Sequence, residues 1–251
     1  MPHFFYDQFI WENFMSKKIL MCALAAMGAA HAKVNVGLVL QGSFVKPKTT
    51  FFGSDDFAGN TELFSNDIRK AMNAFGGGFL LGYEVDSDKP FKTVFEVDVQ
   101  FFNKKLSSGT LIAKNTTGMD GNILDRESFT FKKKMEVGFN PSFAYAMNGK
   151  FDALFGVRFN VSTYDLAITS ATGTIPSTSF WTMGIEPNVG GRFKINEKMS
   201  ARFSLGYNFA QKYTKAGYVT DVAFVQIGSQ GNVSFQPSGV NVRAAVTYSF
   251  S

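Results

Sequence analysis

Residues Phe91-Lys92-Thr93-Val94-Phe95-Glu96-Val97-Asp98-Val99-Gln100-Phe101-Phe102 decide the fold. Odd positions carry Phe91, Phe95, Val97, Val99 and Phe101. Even positions carry Lys92, Glu96, Asp98 and Gln100. A period of two marks a β-strand with one apolar and one polar face. In a soluble sheet the apolar face is buried. In a transmembrane barrel it meets lipid, and the polar face lines the lumen. The stretch exceeds the roughly 9–11 residues that a tilted strand needs to cross a bilayer.

The same alternation recurs in seven other segments: 34–45, 75–85, 129–145, 151–163, 181–193, 199–209 and 240–250. The connections between segments alternate in length. Those after the second, fourth and sixth segments are Asp86–Pro90, Met147–Gly149 and Lys194–Lys198. Those after the odd segments run to roughly 16–30 residues, far above the usual ~4–6. Tight turns at one rim and long loops at the other are the pattern of an up-and-down membrane barrel.

Face assignment follows from volume. An eight-stranded interior is just wide enough for side chains. A lining of Phe, Val and Tyr overfills it. The polar face carries Gly76, Gly78, Gly82, Gly138, Gly156, Gly184, Gly190 and Gly206, which leave room for long charged neighbours. The apolar faces are therefore expected outside, against lipid. The expected luminal charge network is Glu84, Lys92, Glu96, Asp98, Lys132, Lys134, Glu136, Arg158, Glu186, Arg192, Arg202 and Arg243. The alternative is a soluble barrel or sandwich with these charges in water.

Parity sets the register, because opposed residues in an antiparallel pair share a face. It predicts a three-residue loop, Met147-Asn148-Gly149, with Gly149 in the left-handed position. Tyr145 then opposes Phe151, and Gly138 opposes Arg158, with Glu136 on the diagonal. Glu84 pairs with Lys92. Unbroken alternation through Lys132-Lys133-Lys134 turns Lys133 toward lipid. A lysine there is tolerated only near the interface, at a cost of about 0–1 kcal/mol. Lys133 is thus the candidate rim contact for lipopolysaccharide phosphates. Lys104-Lys105 lie at the same rim. In the first long loop, Phe64, Ile68 and Met72 recur at helical spacing, which predicts a short helix. In the last, 218–227 is β-prone, either a hairpin extending the seventh and eighth strands, with Gly228–Gly231 as its tip, or a ninth and tenth strand.

The start of the chain reads as an export signal. After a prefix, Met1–Phe14, Met15 opens a basic n-region, Ser16-Lys17-Lys18, then an apolar run, Ile19–Ala29, and an A-x-A site, Ala30-His31-Ala32. The expectation is translation from Met15, cleavage after Ala32, and a barrel formed by residues 33–251. Cys22, His3 and His31 all precede that point, so 33–251 holds neither Cys nor His. That removes the commonest general base and the usual partner of a nucleophilic serine. No stretch supplies the ~20 apolar residues of a transmembrane helix. The net charge of +5 needs no nucleic acid to explain it, since rim and lumen account for the cations. No metal-ligand spacing or phosphate-cradling glycine motif occurs in the loops, and no cofactor is expected.

These features together resemble the small eight-stranded outer-membrane proteins of Gram-negative bacteria, of the OmpA transmembrane-domain and opacity-protein type. The resemblance implies an all-β, eight-stranded antiparallel up-and-down transmembrane barrel, preceded by a signal peptide and located in the outer membrane. Val246, Tyr248 and Phe250 match the terminal pattern by which the barrel assembly machinery recognises such chains, although Ser251 follows. Outer-membrane lipid and lipopolysaccharide are the expected surroundings. Three functions stand open. The first is a non-enzymatic surface protein whose four long loops contact a host or environmental ligand. The second is a small ion or solute channel. The third is an outer-membrane hydrolase, disfavoured by the missing histidine.

Overall fold

The computed structural model describes residues 32–45, 48–54, 66–68, 72–85, 90–102, 105–114, 123–170, 173–218 and 230–250. The expected signal segment lies outside them but for its last residue, Ala32, which opens β1 opposite Val85. The described strands are β1 (Ala32–Val45), β2 (Lys48–Ser54), β3 (Asn66–Ile68), β4 (Met72–Val85), β5 (Phe91–Phe102), β6 (Lys105–Lys114) and β7 (Ile123–Ala146). They continue with β8 (Phe151–Ser170), β9 (Gly173–Lys194), β10 (Met199–Ala210), β11 (Tyr213–Tyr218), β12 (Gln230–Gln236) and β13 (Gly239–Phe250).

Eight of them close a barrel in the order β5-β4-β1-β13-β10-β9-β8-β7, sealed by pairing of β5 with β7. Every pairing in it is antiparallel. Each expected segment falls on one barrel strand, and 91–102 matches β5 residue for residue. The apolar faces point outward: Leu38, Phe79, Val97, Phe101, Phe143, Phe155, Ile185, Val189, Phe203 and Phe209 are all exposed. The interior holds Glu96, Asp98, Gln100, Glu136, Arg158 and Glu186, all buried. A continuous exterior of this kind far exceeds the apolar patch a soluble monomer tolerates. It suits hydrocarbon. On β5 it spans Phe91 to Phe101, the length of one tilted crossing.

The long connections differ from expectation. β7, β8 and β9 run on well past the apolar belt. β8 and β9 pair up to Ser170↔Gly173, so the fifth connection is a tall hairpin rather than a loop. β6 pairs with the upper part of β7. On the other half of the barrel, β11-β12-β2-β3 form a separate four-stranded sheet. Ile68 lies in β3 and Met72 opens β4, so the helical reading of these two positions fails. Phe64 lies outside the described residues. The last connection carries the hairpin β11–β12, in a sheet apart from the barrel strands, although of the β-prone stretch 218–227 only Tyr218 is described. Gly231 pairs with Tyr218 and so is not the tip, and 219–229 lie outside the described residues.

The predicted turn is shifted by one residue. Met147 N–H donates to Phe151 O at 3.0 Å, closing Asn148-Gly149-Lys150. Asn148 Oδ1 accepts from the backbone of Lys150 (2.9 Å) and Phe151 (2.8 Å). Ile195–Met199 repeats the arrangement, with Asn196 Oδ1 accepting from Lys198 (2.9 Å) and Met199 (2.7 Å). Glu197 stands where Gly149 stands, so the turn requires Asn rather than glycine. Gly149 accordingly does not adopt a left-handed φ. The register moves by two: Tyr145 opposes Ala153, Gly138 opposes Asn160, and Glu84 opposes Val94. A shift by two preserves parity, so the faces stand.

Candidate functional site

The lumen is the site the fold builds, and its charges form three layers. Near the short turns, Arg192 Nε donates to Asp152 Oδ2 at 2.8 Å, and its Nη1 bonds Glu84. Lys194 reaches Asp152 Oδ1 at 3.1 Å and Lys92 reaches Glu84 at 3.4 Å. Glu84 and Lys92 thus meet on a diagonal rather than as an opposed pair. An apolar layer of Val94, Ala144 and Leu154 follows. Above it Arg202 pairs with Glu96, which also accepts from Asn140 Nδ2 at 3.3 Å.

Arg158 is the centre. It projects from β8 and is 0% exposed. Its Nε and Nη2 donate to Asp98 at 2.9 and 2.6 Å, and Nη1 donates to Glu136 at 2.6 Å. Glu186 lies 3.7 Å from Nη1. Arg243 lies 3.1 Å from Glu186 and 3.9 Å from Asp98. Glycine makes the clamp possible: a Cβ on Gly138 would stand 2.2 Å from Arg158 Nε and Nη2. Such bidentate, charge-assisted bonds offset the cost of burying ions. A cavity of about 30 Å³ lies alongside, lined in part by Glu96, Asp98, Arg202 and Arg243.

The lysine run is placed otherwise than alternation predicts. Pairing shifts from Lys133↔Tyr164 to Met135↔Thr163, a bulge at Lys134. One extra residue inverts every side chain beyond it. Lys133 therefore points inward, 2% exposed, with its ammonium 2.6 Å from Glu136 and 4.2 Å from the Phe102 ring centre. It is not a lipid-side rim residue. Lys134 is not luminal either. Its side chain is 51% exposed and pairs with Asp165 at 2.6 Å, just above the apolar belt. Lys132, half-buried, stands opposite Asp165 on that outer face and opposite Lys105 of β6. Lys104 lies outside the described residues.

The same inversion fills the mouth with rings. Phe131, expected outside, is buried. It stacks on Phe235 of β12 with centroids 4.3 Å apart. Tyr164 and Phe180 complete the cluster, at 5.2 and 5.3 Å from Phe235. Asp152, Lys194 and this aromatic cluster are absent from the sequence-derived network. Asp152 shares the even parity of Arg158 and was legible. Phe235 carried no local signal, because its strand belongs to a long connection. Val246, Tyr248 and Phe250 lie exposed on β13, which pairs with β1 to close the ring.

No protein-family model matches the chain, and no curated protein matches it in sequence. Solved structures do match. The outer membrane protein OprG of Pseudomonas aeruginosa aligns over 88% of this chain and 96% of its own, at 10% identity and a TM-score of 0.51. The outer membrane protease OmpT of Escherichia coli aligns over 87% and 97%, at 10% identity and 0.47. Ail, the attachment invasion locus protein of Yersinia pestis, in complex with the heparin analogue sucrose octasulfate, aligns over 85% and 99%, at 11% identity and 0.37. The fold is that of the small outer-membrane β-barrels of Gram-negative bacteria.

Proposed function

We propose that this chain is an integral outer-membrane protein with a closed lumen, acting through its raised rim as a non-enzymatic surface-contact protein. The observation that carries this is the Arg158 clamp. One buried guanidinium ties β5 to β7 and β8, with donors spent on Asp98 and Glu136. The 30 Å³ beside it has room for about a water or two, and the ion pairs across the axis support a closed lumen. Material invested above the belt points to the rim as the working part: tall β7–β9, β6 and a second sheet. Binding surfaces commonly sit on such connections above a rigid scaffold. The non-enzymatic reading rests on the lack of His and Cys in 33–251.

Lys134 takes over the lipopolysaccharide role first assigned to Lys133, since it is an exposed cation next to the belt, on the same strand. Val246, Tyr248 and Phe250 remain the proposed assembly signal. The test uses refolded protein in planar bilayers, together with binding of whole cells to host or environmental surfaces. A silent bilayer and adhesion lost on replacing the 48–68 and 213–236 connections by short turns are expected. Stable conductance steps would instead favour the channel reading. Adhesion that survives loop replacement would remove the rim from the function.

A further inference from the structure

Trp181 marks the outer edge of the belt on β9. It is 41% exposed, at the depth where barrels carry an aromatic girdle between hydrocarbon and headgroups. It stands opposite Thr163 of β8. Two positions further out, Ser179 stands opposite Asp165. Asp165 in turn stands opposite Lys132 of β7. Opposed residues share a face. Lys132, Asp165 and Ser179 therefore lie side by side on three neighbouring strands, just above the girdle. The bulge adds a second cation to this group. The extra residue in β7 is Lys134, which comes out on the outer face between Lys132 and Met135. Re-aiming one side chain is a recurrent use of bulges.

Lys134 Nζ lies 2.6 Å from Asp165 Oδ2, and Ser179 Oγ donates to Asp165 Oδ1 at 2.7 Å. One carboxylate thus stands among two ammonium groups and a hydroxyl. On β6, Lys105 holds the position opposite Lys132. Directly below, Phe101 opposes Met135, and both Phe101 and Trp181 are exposed toward the bilayer. Ammonium groups and a hydroxyl are the donors that a phosphate takes. A soluble phosphate would gain nothing from the rings beneath them. A phosphorylated lipid sets its phosphate at headgroup depth and its chains against Phe101 and Trp181. Long connections mark this rim as the outer one, so that lipid is lipopolysaccharide. We propose that Lys132, Lys134 and Ser179 form a binding site for a lipid A phosphate, and that Asp165 competes with the phosphate for Lys134. This deepens the lipopolysaccharide contact of Lys134 and rests on the outer-membrane reading, but not on what the rim binds.

The test titrates full-length protein, folded in detergent, with deep-rough lipopolysaccharide, and counts bound lipid by native mass spectrometry. EDTA is present throughout, because ammonium groups bind phosphate without a divalent cation. Unboiled gel mobility confirms that each variant is folded. The wild type binds saturably. The double variant Lys132→Gln, Lys134→Gln binds about tenfold more weakly or worse, as expected for losing two charged donors. Asp165→Asn binds more tightly than the wild type, because Lys134 is released. Lipopolysaccharide stripped of its phosphates binds the wild type as weakly as the intact lipid binds the double variant. Lys150→Gln with Lys198→Gln, at the opposite rim, leaves binding unchanged. A double variant that binds like the wild type, or an equal loss from the opposite-rim pair, overturns the site. Binding that ignores phosphate removal overturns the phosphate contact. Wild-type protein that binds no lipopolysaccharide overturns both the site and the Lys134 contact it deepens, whereas the surface-contact role stands or falls on the bilayer and adhesion results.

Discussion

Replacing Arg158 by Met is the most informative perturbation of the lumen. Methionine keeps most of the length and removes the charge. Three charge-assisted bonds disappear: two to Asp98 and one to Glu136. Each is worth roughly 1.5–3 kcal/mol in general, so their gross loss is large. The regained freedom from burying a guanidinium offsets part of it. What remains is the cost of leaving Asp98 and Glu136 buried with Lys133 and Arg243 as their nearest cations. Breaking a buried ion pair in this way costs about 3–5 kcal/mol. Gly138 supplies the control. Its alanine variant places a Cβ 2.2 Å from the guanidinium, which must then shift from its place between the two carboxylates. Gly138→Ala should therefore cost about as much as Arg158→Met in the wild type and little in the Arg158→Met background. The assay is urea unfolding in lipid vesicles, followed by the difference in gel mobility between boiled and unboiled protein. An equal cost of Gly138→Ala in both backgrounds, or an Arg158→Met loss below about 1 kcal/mol, refutes the clamp as the organising contact.

Three further outcomes are expected. Lys133→Met should destabilise by about 3 kcal/mol or more, because Glu136 loses a buried partner, whereas Lys134→Met should change stability by about 0–1 kcal/mol. Equal effects in the same unfolding assay would place the bulge wrongly. Asn148→Ala and Asn196→Ala should each cost about 1–2 kcal/mol, because two backbone N–H donors lose their side-chain acceptor, while Gly149→Ala should stay within about 0.5 kcal/mol. A costly Gly149→Ala would restore the glycine-dependent turn. Val97→Arg, on the exposed face of β5, should lower stability in vesicles by about 2–4 kcal/mol. A neutral result would mean that this face does not meet hydrocarbon.

Local pattern and closed geometry divide the account between them. Alternation in Phe91–Phe102 set strand, length and faces at once, because a β-strand offers each side chain only two directions. Gly138 flagged the space that Arg158 fills, although the register differs by two residues. What sequence left undecided was continuity. At Lys134 one inserted residue sends Lys133 into the lumen and Lys134 out of it, and nothing in Lys132-Lys133-Lys134 marks the change. The asparagine turns were visible as a recurring Asn-x-Lys, yet glycine drew the assignment because loop conformation was inferred without its hydrogen bonds. Phe235 shows the remaining limit. It is distant in sequence from Phe131, Tyr164 and Phe180, and only closure of the ring brings the four together. Period and charge are properties of neighbouring residues, so the chain carries them openly. Which ring meets which across a lumen depends on strand register around the whole circumference, and only the assembled barrel sets it.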